Sequence, residues 1–190
     1  MKAIYLRIII FTLITNFISC KAQQIYPLNA DYEEVPQNSY LKDLNNELTP
    51  YIGVYKANFD GNETILYITK QEQKLEKIGQ KIYYIDALVI KYIVKSSTGT
   101  ILQDTKNNNY PNIQLYSIGT TPAKNLVNFI YTGTNCNVGW GDIYIKKINS
   151  NQISWEYRPD DIATTADKCS PTLNTIIYLP ETKDLIFTKQ

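Results

Sequence analysis

"GVYKANFDGNETILYIT", residues 53–69, decides the fold. Two short runs flank Asp60-Gly61, and in each the apolar residues recur with a period near two, the period of a strand rather than a helix. Asp-Gly supplies two adjacent positions that tolerate positive φ, which a two-residue hairpin turn demands. The stretch therefore predicts two antiparallel strands. "KIYYIDALVIKYIVKSSTGTILQ" (81–103) follows, dense in β-branched and aromatic residues. Its length predicts a strand with a bend or bulge near Asp86-Ala87, then a turn at Ser97–Gly99. "NIQLYSI", "NLVNFIYT", "GDIYIKKI", "QISWEYR", "NTIIYL" and "DLIFTK" continue the series, each bounded by Gly, Pro, Asn or Ser. All eight prolines fall outside these runs, as central strands require.

Alternation assigns faces. Val127, Phe129 and Tyr131 oppose Leu126, Asn128 and Ile130; Ile143 and Ile145 oppose Asp142, Tyr144 and Lys146; Ile153, Trp155 and Tyr157 oppose Ser154, Glu156 and Arg158. One face is drier than the other, the mark of a sheet packed on a core along one side. The expectation is a mainly β chain forming an antiparallel barrel of about 8–10 strands joined by short turns. One short helix is expected before it. In "SYLKDLNNELTPYIG" Leu41, Leu44 and Leu48 stand at i, i+3 and i+7, Ser39 can cap the start and Pro50 stops the run.

The chain begins "MKAIYLRIIIFTLITNFISC". Lys2 and Arg7 precede an uncharged run from Ile8 to Ile18. As a helix such a run reaches only ~16 Å at ~1.5 Å per residue, against a bilayer core of ~30 Å. It suits the apolar part of a signal peptide. Phe17-Ile18-Ser19-Cys20 resembles the lipobox of bacterial lipoproteins, and "SCKAQ" is similar to flavobacterial-type members. The resemblance implies that Cys20 carries the lipid, that residues 1–19 are a removed signal peptide, and that the protein is anchored to a cell-envelope membrane, facing the periplasm. Residues 21–24, "KAQQ", lack an acidic run of the kind that would favour surface display. Residues 20–38 then read as anchor and tether, and 39–190 as one barrel domain. "LTPYIGVYKANF" (48–59) resembles the first strand of lipocalin-like barrels, with Gly53-Val54-Tyr55 in place of a Gly-x-Trp motif, and "LIFTKQ" resembles a closing strand.

Composition excludes several chemistries. There is no His in the chain, which removes Ser-His-Asp and Cys-His nucleophile systems, His-ligated zinc and imidazole proton transfer. Neither phosphate-binding glycine motif is present. Loss of residues 1–19 takes Lys2 and Arg7 and moves the formal charge from +1 to −1, so no electrostatic case exists for nucleic acid. No cofactor or metal is expected. Carboxylates remain for a hydrolase of glycosidase type, which needs two of them roughly 5–10 Å apart. Glu156, Asp160 and Asp161 are the nearest cluster, with Asp86 and Asp142 as further candidates; Asp160, Asp161 and Asp167 could contribute to a calcium site but lack its usual spacing.

The leading expectation is a non-enzymatic binding module for a small apolar ligand held inside the barrel, with Tyr55, Tyr67, Tyr84, Phe129 and Trp155 as interior residues. The alternative is a protein–protein subunit of an envelope complex. "GTNCNVGWGDIYI" (133–145) sets Trp140 between two glycines, either as a rim residue that meets a partner or as a buried cap of the barrel end. Cys136 and Cys169 remain once Cys20 is acylated, in an oxidising compartment. A hairpin of "GDIYIKKI" and "QISWEYR" between them would return the chain to the end it left, so the two are expected to form a disulfide. "LPET" (179–182) resembles part of a sortase signal and reads as a hairpin turn between "NTIIYL" and "DLIFTK".

Overall fold

The computed structural model describes residues 22–108, 110–162, 165 and 169–190. The apolar leader, Cys20 and Asp167 lie outside these. Eleven strands are present among the described residues: β1 (Ile25–Pro27), β2 (Tyr40–Lys42), β3 (Gly53–Phe59), β4 (Asn62–Ile78), β5 (Lys81–Lys95), β6 (Ile101–Asp104), β7 (Leu115–Thr121), β8 (Leu126–Tyr131), β9 (Gly141–Lys147), β10 (Gln152–Pro159) and β11 (Leu185–Lys189). Neighbours pair in the order β5-β4-β3-β11-β10-β9-β8-β7, and β7 returns to β5 at Val89–Tyr116. Every one of these pairings is antiparallel, so eight strands close into a barrel. The first hairpin forms as its sequence dictates: Asp60 and Gly61 have φ of 47° and 77°, and Phe59 faces Asn62 across them.

The interior is the dry face of the alternation. Tyr55, Leu66, Ile68, Leu88, Ile90, Val127, Phe129, Ile143, Ile145, Ile153, Trp155 and Phe187 are all buried there. Aromatic rings run through it in succession: Phe187 meets Trp155 at 5.6 Å, Trp155 meets Tyr157 at 6.4 Å, Tyr157 meets Tyr131 at 5.8 Å and Tyr131 meets Tyr92 at 6.4 Å. The last three are edge-to-face pairs, which add about 0.5–1.5 kcal/mol each beyond burial.

β4 and β5 are twice as long as the other barrel strands and overhang one end, called here the mouth. Their extra length is separated from the barrel by a bulge at Glu72-Gln73, where Gln71 pairs with Ala87 and Lys74 already with Ile85. The irregularity expected near Asp86-Ala87 thus lies in the partner strand opposite. β2 joins the overhang in parallel at Tyr84 and Ile85, and β1 joins β2.

Three expectations need correction. The helix over Ser39–Pro50 is absent. Ser39 and Tyr40 give their backbone groups to Tyr84 and Gln24 in the sheet, and residues 43–48 fold around the Asp43 carboxylate, which accepts from the Glu47 and Leu48 amides. Leu41 and Leu48 are buried while Leu44 is 58 % exposed, so the apparent stripe never faces one way. Among the described residues only a single 3-10 turn, Thr49–Tyr51, precedes β3. "NTIIYL" is not a strand and "LPET" not a hairpin turn; this segment crosses the far end of the barrel as loop, with Leu179 buried and the Pro180 carbonyl accepting from the Trp155 indole at 2.9 Å. From Ala22 onward the supposed tether belongs to the fold: Leu28 and Val35 join the core cluster and Tyr32 stacks on Tyr83 at 5.4 Å.

Candidate functional site

The mouth holds a buried network of charged and polar groups. Lys70 ends the inward-facing series Thr64, Leu66, Ile68 on β4, and Asp86 sits opposite on β5, 1 % exposed. The Lys70 ammonium lies 3.1 Å from Asp43 and 3.6 Å from Asp86. Asp86 Oδ1 accepts from the Tyr40 hydroxyl and from the bulge amide of Gln73 at 3.3 Å; its Oδ2 accepts from the Asp43 amide at 3.1 Å. Burial pushes the Lys70 ammonium down, but the Asp43 hydrogen bond and the charges of Asp43 and Asp86 outweigh it and hold its pKa above the ordinary value. Tyr40 is raised, first by burial and then by its bond to Asp86. Each carboxylate oxygen has a donor. Such a network is a clasp rather than a proton-transfer centre: satisfied, it fixes one arrangement of β2, β4 and β5, and removing one charge leaves the others stranded.

Above the clasp runs an open groove of about 680 Å³ between the N-terminal arm and the overhang. Gln23, Gln24, Gln37 and Asn38 line one wall, Gln73 and Tyr84 the other, with Ser39 between. The bulge projects Gln73, whose φ of 49° is unusual for a residue with a side chain, and the Asp86 bond to its amide holds it there. The described lining carries no charge.

The opposite end is built differently. Cys136, in the β8–β9 loop, is joined by a disulfide to Cys169 in the β10–β11 segment, with Cα atoms 5.7 Å apart. β9 and β10 pair as the expected hairpin between them. Trp140 is 43 % exposed, so it is not the buried cap. Its ring lines an apolar hollow of about 330 Å³ on the outer wall with Ile130, Thr132, Asn137 and Ile162.

The candidate interior residues divide. Tyr55, Phe129 and Trp155 are inside and fully packed. Tyr67 and Tyr84 are not inside. Tyr67 is on the outer wall, where Lys106 stands 5.5 Å over its ring, and Tyr84 lines the groove. None of the three packed residues lines the groove, the Trp140 hollow or the three further hollows on the described surface. The carboxylates do not converge either. Glu156 accepts from Arg158 at 2.8 Å and Asp142 from Tyr144 at 3.3 Å on the outer face of β9 and β10. Asp86 is enclosed in the clasp, and Asp160 and Asp161 are exposed. Among the described residues no three His, Cys, Asp or Glu gather as metal ligands. Asp43, Lys70 and Gln73 were missed by sequence reasoning. For Lys70 a signal existed, since it is the charged residue that continues the inward register of β4.

A family model matches residues 1–190. The chain belongs to the DUF6705 family, a family of unknown function. No curated protein and no solved structure matches it. Within this DUF6705 chain, then, the groove over the clasp and the Trp140 hollow are defined by their own geometry alone.

Proposed function

We propose that the chain is a lipid-anchored cell-envelope protein that binds rather than catalyses, and that it binds through its outer surface. One observation carries this reading: the barrel interior is filled by the aromatic succession from Phe187 to Tyr92, while the hollows open outside. A small apolar ligand inside a lipocalin-like barrel would need that space. The Ser19-Cys20 sequence supports the anchor, and a disulfide suits an oxidising compartment.

The arm that follows Cys20 joins the sheet at the mouth, through β2 and Tyr84. Trp140 precedes β9, whose other end, at Lys147, bonds the Pro50 carbonyl at the mouth. Trp140 thus stands a strand's length away from the mouth, at the end opposite to the arm that follows Cys20. A half-exposed Trp in an apolar hollow with a polar rim is the composition of a protein contact, so the partner is an envelope protein.

Native mass spectrometry of the protein purified from its own cells tests both parts. The expected species carries the mass of acyl chains on Cys20 and a protein partner that is lost in Trp140→Ala. A small apolar molecule retained in place of a partner would return the ligand to the barrel. Radiolabelled palmitate entering Cys20→Ala as well as wild type would end the lipobox reading.

A further inference from the structure

We propose that the groove over the clasp is a binding site for a neutral glycan. This goes beyond the reading above, which concerns the anchor and the Trp140 end. At about 680 Å³ the groove is of ligand-binding size. Its polar lining is made of amides and hydroxyls, with no charge among the described residues. An amide donates and accepts at adjacent atoms, and so do neighbouring sugar hydroxyls, whereas an anionic or cationic ligand would call for a counter-charge in the wall.

Several of these groups are pinned with one end still available. Gln23 Nε2 donates to the Asn38 carbonyl at 3.1 Å, which leaves its Oε1 outward. Gln24 Oε1 accepts from Tyr26 at 3.1 Å, leaving its Nε2. The Asn38 and Gln73 side chains have no hydrogen bond among the described residues, and Asn38 and Gln73 both hold positive φ, at 64° and 49°. Strained backbone held by its surroundings is a feature of binding sites; at Gln73 the surroundings are the Asp86 clasp beneath the bulge. The Ser39 hydroxyl is buried and has no partner among the described residues, a group that normally finds one. Tyr84 adds an aromatic face, and its electron-rich ring suits the C–H side of a pyranose. An extended peptide would instead seek a strand edge and side-chain pockets.

Neutral sugars reach an envelope protein as free polysaccharide or as a lipid headgroup, and both offer the same hydroxyls. Isothermal titration of the full chain in detergent addresses the first, using hexasaccharides of glucose, mannose and N-acetylglucosamine, with a galacturonic acid hexamer as the charged control. Flotation with phosphatidylcholine vesicles, with and without a neutral glucosyl diacylglycerol, addresses the second. At least one neutral probe should bind. Gln73→Ala should weaken it about tenfold, the loss expected from one or two hydrogen bonds, Tyr84→Ala should abolish it, and Tyr84→Phe should retain it. Gln73 is exposed, so its removal leaves the fold intact, and Tyr84→Phe guards against misfolding at β5. Binding of free hexamers alone assigns polysaccharide, and vesicle binding alone assigns a headgroup; either supports the site. No neutral probe binding at millimolar concentration, galacturonate binding equally well, or Gln73→Ala and Tyr84→Ala both binding as wild type would overturn it.

Discussion

The two ends of the barrel are closed by different chemistry. At the mouth, a lysine between two buried aspartates holds β2, the 43–48 turn and the bulged β4 in place. At the far end, a disulfide and an indole bonded to a loop carbonyl hold the β8–β9 loop and the β10–β11 segment. The first closure depends on charge and complete hydrogen bonding, the second on covalent linkage and packed rings. The first should therefore be broken by single-atom chemistry and ionisation, the second by reduction and truncation.

The largest effect should come from Asp86→Ala. It strands the Tyr40 hydroxyl, two amides and half of the Lys70 environment, and breaking a buried charge pair in this way costs about 3–5 kcal/mol. Urea unfolding measures it; a loss below about 1 kcal/mol would mean that the clasp is no more than a surface pair. Next is the disulfide. With the cysteines 33 positions apart, its removal in Cys136→Ser/Cys169→Ser should cost about 3–4 kcal/mol on the chain-entropy estimate, and unfolding with and without reductant should show the same difference in wild type.

Alkali probes the packed rings. Burial pushes Tyr131 up to about 12 from 10.0, against a smaller opposing effect of the Tyr92 hydrogen bond. The fold favours the neutral phenol, so the contribution is complete below pH 10 and drains away as pH rises towards 12. At about 1.4 kcal/mol per unit the loss is roughly 3 kcal/mol. Tyrosinate absorbance recorded beside near-ultraviolet circular dichroism should show a late-ionising class that appears only as the fold is lost. If all the tyrosines ionise together near pH 10 with the fold intact, the interior is wetter than the packed rings imply. The smallest effect belongs to Trp140→Ala. A half-exposed ring on the outer wall should cost no more than about 0.5 kcal/mol, and a thermal melt showing a core-sized loss would put that ring back among the packed ones.

The same contrast explains what the sequence revealed. The far end and the walls were legible because their signals are local: Asp60-Gly61 announces its hairpin, alternation in β8, β9 and β10 names the buried face, and two cysteines flanking one hairpin have each other as partners. The mouth was not. Its turn competes with a helix whose three leucines are correctly spaced, and the outcome is set by Asp86, more than forty positions away from Asp43. The bulge at Glu72-Gln73 carries no Gly or Pro to mark it, and without it the register of Tyr84 against β4 cannot be known. Tyr67 was misplaced more simply: its neighbours Leu66 and Ile68 share the inward face, which leaves Tyr67 outside.

The strand that completes the barrel, β11, is made after every other described strand. β3 opens the meander and pairs with β11, and Lys189 reaches back 137 positions to the Ile52 carbonyl. Until that stretch has left the ribosome, β3 has one bare edge and the central rings lack Phe187. Contacts so far apart along a chain make folding slow. A polypeptide threaded across a membrane N-terminus first would therefore stay pliable until β11 had crossed, and would become too wide to slip backwards only once β11 had met β3.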